Sequence, residues 1–137
     1  MSSFKIFDIA GSGMNAQNLR LNVVASNLAN VDAVSSSIEE TYRARQPVFK
    51  AMLDEAGARN PAVGVRMAGV VESKAPLVRE YAPNHALADE EGYIYRPNVN
   101  VVEEMANMIS ASRAYQNNVE VLNATRQMLS ATINLGR

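Results

Sequence analysis

All five prolines of this chain lie between positions 47 and 97, together with Gly57, Gly64, Gly69 and Gly92. A proline inside a helix removes a hydrogen bond and clashes with the preceding turn, at a cost of about 3 kcal/mol. Long helices are therefore confined to the two ends, and the middle must be built from strands and loops.

Both ends carry the pattern such helices need. From residue 4 to 31 the positions Phe7, Ala10, Met14, Gln17, Leu21, Val24, Leu28 and Val31 fall alternately three and four apart, and only Gln17 is polar. From residue 100 to 135 the same spacing runs through Val101, Met105, Met108, Ser112, Tyr115, Val119, Leu122, Arg126, Leu129 and Ile133. Each is a heptad seam. Asn100, with Glu103 three residues on, predicts a helix cap related to the capping box, and Gly136 predicts the stop. Gln17 is a candidate for setting register, as a buried polar residue does in coiled coils. Arg126 is expensive to bury in an isolated pair, so it either extends its head out to water or meets an acidic residue of a neighbour.

Neither helix is built to stand alone. Asn15, Asn18, Asn22, Asn27 and Asn30 crowd the first, with Gly11 and Gly13 inside it, and Asn107, Asn117, Asn118 and Asn123 replace the usual charges on the second. Asparagine and glycine are weak helix formers. Amide faces can bond to neighbouring subunits without burying unpaired charge. Residues 1–33 and 98–137 thus read as two helical segments around an insert at 34–97, which opens on a loop around Ser35-Ser36-Ser37. Within the insert, Val63 to Met67 alternates at period two. Thr41–Phe49, Leu77–Tyr81 and Tyr93–Arg96 are further strand candidates, and Asp89 to Gly92 reads as a turn. Pro47 would hold its strand to an edge. The fold class is mainly α with a small β insert of about four strands, the two long helices pairing as a coiled-coil-like hairpin. An insert of this size cannot cover helices of this length, so the seams must pair with each other, with other chains, or both.

The remaining composition is informative by exclusion. Thirteen basic and 14 acidic residues leave a net charge of -1, so no nucleic-acid or anionic-membrane partner is expected. With no cysteine and a single histidine, disulfides and zinc–thiolate sites are excluded, and no cofactor or metal is expected. His85 sits in a turn-like Pro83-Asn84-His85-Ala86 stretch without a nucleophile motif, and reads as a loop residue. Asp89-Glu90-Glu91 lacks the alternating oxygen spacing of a calcium loop. Gly11-x-Gly13 has neither a preceding strand nor a third glycine. No run reaches the length of a membrane span, and Asp8, Gly11, Ser12, Gly13 and Asn15 interrupt any secretory signal. A non-enzymatic protein is expected.

Two stretches carry a recognisable pattern. The first runs Ser12 to Asn30, with Ala16-x-x-x-Arg20 followed by Ala25-Ser26-Asn27-Leu28-Ala29-Asn30. The second runs Pro97-Asn98-Val99-Asn100-Val101-Val102-Glu103-Glu104-Met105 and on through Arg113-Ala114-Tyr115-Gln116. They resemble the terminal motifs of the flagellar axial proteins, the rod, hook and hook-associated subunits. Short length, the opening Ile6 to Ser12, and Ala88-Asp89-x-x-Gly92-Tyr93 resemble the proximal-rod members of the basal-body rod protein family most. The resemblance implies a structural subunit of the proximal rod, exported unfolded by the flagellar type III apparatus without a cleaved signal. Its terminal helices would assemble helically around the export channel, by self-association or with other rod proteins and basal-body components. The rod crosses the periplasm and carries torque from motor to hook. An absence of cysteine suits such a route. The competing reading is a soluble helical-hairpin adaptor or export chaperone, whose helices would be folded in dilute solution.

Overall fold

A computed structural model describes residues 3–52 and 63–136. Helix α1 spans Ser3–Ala29 and helix α2 spans Val101–Leu135. Between them lie β1 (Arg45–Met52), β2 (Gly64–Glu72), β3 (Val78–Tyr81) and β4 (Tyr93–Arg96). Asn100 caps α2: its side-chain oxygen accepts from the amides of Val102 and Glu103 at 3.1 and 3.3 Å. Glu103 and Glu104 in the first turn complement the helix dipole. Gly136 ends the helix at φ -90°, with its N–H donating to the Ile133 carbonyl, rather than in the left-handed conformation usual for glycine there.

The helices run antiparallel. Asn118 lies against Gly13, Asn107 bonds to Arg20, and Glu104 bonds to Asn27, so numbers fall along α2 as they rise along α1. A side chain at Gly13 would begin 3.0 Å from the Asn118 amide nitrogen, so the absence of a Cβ is what permits this close approach. Continuing the same register carries the last turns of α2 past the start of α1. There Ile133 and Leu135 are 66% and 88% exposed.

The four strands do not share a sheet. β1 pairs with β2, and β3 with β4, as two antiparallel ribbons. β2 runs well beyond the Val63–Met67 alternation, and β1 begins at Arg45 rather than Thr41. Pro47 stands opposite Val70; in a two-stranded ribbon every strand is an edge, and its missing N–H is harmless. A bulge between Val48 and Phe49 preserves the alternation past it. Pro47 and Phe49 therefore stay on the half-buried side with Met67. Only Gly92 among the described residues has a positive φ, +82°. It closes the Asp89 turn, whose Oδ1 accepts from the Glu91 and Tyr93 amides at 3.0 and 2.8 Å.

The β1–β2 ribbon lies along α1. At one end Ser12 Oγ accepts from the Val65 amide at 3.1 Å, and at the other Asn27 bonds to Arg45. α1 is therefore enclosed between the ribbon and α2, while α2 packs on α1 alone among the described elements. The core is small. Its apolar members are Ala10, Ala16, Val24, Ala44, Ile94 and Ala111, and Ile94 is the largest side chain fully withdrawn from water. The chain exposes 9681 Å², whereas a compact monomer of its mass would expose about 7,000 Å².

Candidate assembly interface

The side chain that organises the junction of helices and insert is Asn27, 1% exposed near the end of α1. Its amide nitrogen donates to the Arg45 carbonyl at 2.8 Å and to Glu104 Oε2 at 3.0 Å. Its oxygen accepts from the Arg45 amide and the Tyr42 hydroxyl, both at 2.9 Å. An asparagine side chain has two donors and two acceptor sites, and all four are used. Toward Arg45 it behaves as a neighbouring strand would, meeting both backbone groups of one residue. Toward Glu104 it holds the buried carboxylate at the start of α2. A buried polar group satisfied this completely stiffens its surroundings, and would be costly if half-satisfied.

Other motif residues reinforce the junction. The Tyr42 hydroxyl also lies 3.2 Å from Ser26 Oγ, and Arg45 stacks over the Tyr42 ring at 5.2 Å. Asn30 donates back to the Ser26 carbonyl at 2.8 Å. Arg20 donates to Asn107 at 3.0 Å. Asn98 accepts from the Ala44 amide at 2.8 Å and donates to the Ala75 carbonyl at 2.8 Å, tying the entry of α2 to the connection before β3. Ala16 and Pro97 are buried and Val99 half-buried, whereas Ala29, Met105, Arg113 and Gln116 are exposed. The structure thus brings together Arg20, Ser26, Asn27, Asn30, Asn98 and Glu104 as a joint. Tyr42 belongs to that joint too, and the Ser35–Tyr95 bridge ties the neighbouring loop to β4. Sequence reasoning missed them, since nothing local marks a loop tyrosine as the partner of a helix asparagine.

The seams fare differently on the two helices. Along α1, Phe7, Met14, Gln17, Leu21, Leu28 and Val31 are half-buried and Val24 is buried. Along α2, Met108, Tyr115, Val119, Leu122 and Leu129 are half-buried, but Val101, Met105, Arg126 and Ile133 are exposed. The side of α2 that presses on α1 is one position away, on Glu104, Ala111 and Thr125. Small and polar residues lie at the closest approach, the half-buried Met108, Tyr115, Val119, Leu122 and Leu129 flank it, and other large apolar side chains are turned outward. Val102 is 77% exposed, and Met105, Ile109, Val121 and Met128 are also open. Gln17 Oε1 is buried without a hydrogen-bond partner, an arrangement with a real cost.

The insert offers binding chemistry of a modest kind. His85 is exposed, and its Nδ1 accepts from the Leu87 amide at 3.1 Å, which is a turn contact. A cavity of about 620 Å³ is an open hollow beside the 33–43 loop, with Glu39, Glu40, Tyr42 and Arg43 among its lining. Among the described residues, no three His, Asp or Glu side chains are grouped to hold a metal ion. No described helix is long and apolar enough to cross a membrane. What the geometry offers is a protein surface: a long helix with one side covered and apolar side chains on the rest.

Comparison with known proteins defines the class to which that surface belongs. Residues 7–35 match the family model "Flagella basal body rod protein", and residues 90–135 match "Flagellar basal body rod FlgEFG protein C-terminal". The chain belongs to the flagellar basal-body rod protein family. Its full-length relatives are more particular. It is 50% identical, over 100% of both chains, to the flagellar basal-body rod protein FlgC of Escherichia coli O6:H1. It is 49% identical over the same span to FlgC of Salmonella typhimurium. With FlgC of Borreliella burgdorferi it shares 34% identity over 97% of each chain. The matched terminal regions hold Asn27, Asn98 and Glu104, so the joint lies on the segments that carry the family likeness.

Proposed function

We propose that this rod protein is a structural, non-catalytic subunit of the proximal rod, built into a helical assembly by the uncovered flanks of α2. In this reading residues 1–33 and 98–137 form the inner core around the export channel, and residues 34–97 lie outside it. The observation that carries the reading is the contrast on α2. Its fully buried positions, Glu104, Ala111 and Thr125, are small or polar, while Val102, Ile133 and Leu135 face water. Isolated apolar residues on a surface are ordinary, but a helix that exposes them along its length marks an interaction surface. Other rod proteins and basal-body components supply the covering surface. Torque passes from the helices to the insert through the Asn27 joint, because a fully bonded buried node resists shear better than loose apolar contact.

The same composition suits export through the flagellar type III apparatus. A chain with so small a core is weakly folded alone and gains its order from neighbours. Hydrogen exchange on the dilute chain tests this. Exchange across both helices is expected to be much faster in the dilute chain than in assembled basal bodies. Protection across both would favour a self-sufficient hairpin acting as an adaptor or export chaperone.

The assembly role itself is tested by placing aspartate at Met128 and Leu135 together. Both side chains are exposed, so the isolated chain should change by no more than about 0.5 kcal/mol. The variant should nevertheless be missing from purified basal bodies and fail to restore swimming to cells lacking the gene. Normal incorporation would refute the proposed use of α2.

A further inference from the structure

The β1–β2 ribbon has a second face, turned away from α1. Val48 and Lys50 of β1 lie on it, with Arg66 and Val71 of β2, and all four are exposed. Lys50 stands directly opposite Arg66 in the ladder. Like charges in that position repel. The ion pairs among the described residues are Arg45–Glu72, Arg79–Glu91 and Arg96–Glu80, and none of them neutralises this rung. A two-stranded ribbon has little stability with which to tolerate such a rung.

Among the described residues, the matching charge lies on the β3–β4 hairpin. β1 and β2 together hold Arg45, Lys50 and Arg66 against Glu72, a net charge of +2. From Val78 to Arg96, Glu80, Asp89, Glu90 and Glu91 stand against Arg79 and Arg96, a net charge of -2. Glu80 and Glu91 are held in ion pairs, and Asp89 is engaged by the turn amides. Glu90 is left free at the tip, on the same hairpin as the exposed Tyr81 and Leu87.

The two patches do not meet within one chain. The Lys50–Arg66 rung adjoins Val65, which bonds to Ser12 in the first half of α1. The β3–β4 ribbon is bridged to Ser35, beyond the other end of that helix. From Ser12 to the end of α1 at Ala29 the separation is roughly 25 Å at 1.5 Å per residue. Two complementary patches at different levels of one subunit form a heterologous contact, the kind that propagates along an open assembly rather than closing a dimer.

We infer that the acidic tip of the β3–β4 hairpin of one copy docks on the outer face of the β1–β2 ribbon of a second copy. Glu90 lies between Lys50 and Arg66, and Tyr81 and Leu87 cover Val48 and Val71. This rests on the rod-subunit reading and adds to the helix contacts a second, outer layer between copies of this chain.

The chain has no cysteine, which makes a cross-linking test clean. Two full-length chains, one with Lys50→Cys and one with Glu90→Cys, are expressed together in cells lacking the native gene, and their basal bodies are isolated. A disulfide-linked dimer is expected when both chains are present and with neither alone. In parallel, Arg66→Glu should lower the amount of chain in basal bodies severalfold, and Glu90→Arg in the same chain should restore it. Basal bodies that contain both cysteine chains but no mixed dimer would overturn the contact and leave the rod reading standing. Linkage of Lys50→Cys to itself would overturn the contact equally. Absence of the unmodified chain from basal bodies would sink the rod reading and the contact together.

Discussion

The two helices have similar sequences in outline and different situations in the fold. α1 lies between α2 and the β1–β2 ribbon, and none of its described seam positions is open to water. α2 is longer, packs among the described elements on α1 alone, and leaves Val101, Met105 and Ile133 exposed. The difference shows that a heptad pattern records which residues will be buried in the end, not which partner buries them. For α1 the partners are in the same chain. For α2 the sequence provides apolar side chains that the chain itself does not cover.

The comparison can be broken most directly at Asn27. Replacing it with leucine keeps the branched shape but strands the Arg45 backbone groups and the buried Glu104 carboxylate. A loss of about 3–5 kcal/mol is expected, measured by urea unfolding of the purified chain. A change under 1 kcal/mol would mean that the enclosure of α1 does not depend on this node. A smaller effect is expected where the helices touch. Gly13→Val drives a side chain into Asn118 and should cost about 1–3 kcal/mol. Asn118→Ala should return part of that loss in a double-mutant cycle. Two additive mutations would show that the helices do not meet there.

Gln17 sharpens the contrast from the other direction. Its Oε1 is buried without a partner, so Gln17→Leu should stabilise the isolated chain by about 1 kcal/mol. If the amide sets register in the assembly, the same variant should incorporate poorly into basal bodies despite its gain. If it incorporates normally, the register role is wrong. The smallest effect belongs to the insert, away from both helices. The Asp89 carboxyl is held below its ordinary value of 3.8, chiefly by the hydrogen bond from the Tyr93 amide. Its folded-state value is depressed, so its contribution is complete above the unfolded value and is lost as pH falls through the depressed one. The turn should therefore loosen only in acid below about 3.8, visible as lost protection of the Tyr93 and Glu91 amides relative to their intrinsic exchange rates. Asp89→Asn should make that protection independent of pH over the same range.

Much of the fold was legible because its signals are local. Clustered prolines confined the helices to the ends, Asn100 marked the start of α2, and Asp89 to Gly92 marked a turn, each through backbone chemistry that acts over a few residues. The division of the four strands into two ribbons was not legible, because pairing depends on which strands the chain can bring side by side. The role of Asn27 was hidden for a related reason. A lone asparagine in a helix reads as a weak helix former. Only when Tyr42, Arg45 and Glu104 arrive from three other parts of the chain does its amide become the best-bonded group in the interior.

Sequence alone thus determined where helices could and could not form, that their seams needed covering, and which motifs place the chain among rod proteins. Tertiary structure decided which seam is covered from within. The reason is geometric: periodicity specifies a stripe along one helix, but the residue facing a neighbour depends on helix rotation and approach. Here Gly13, Ala111 and Thr125 lie where the helices come close, and Val102, Met105, Ile109 and Met128 of α2 are turned outward.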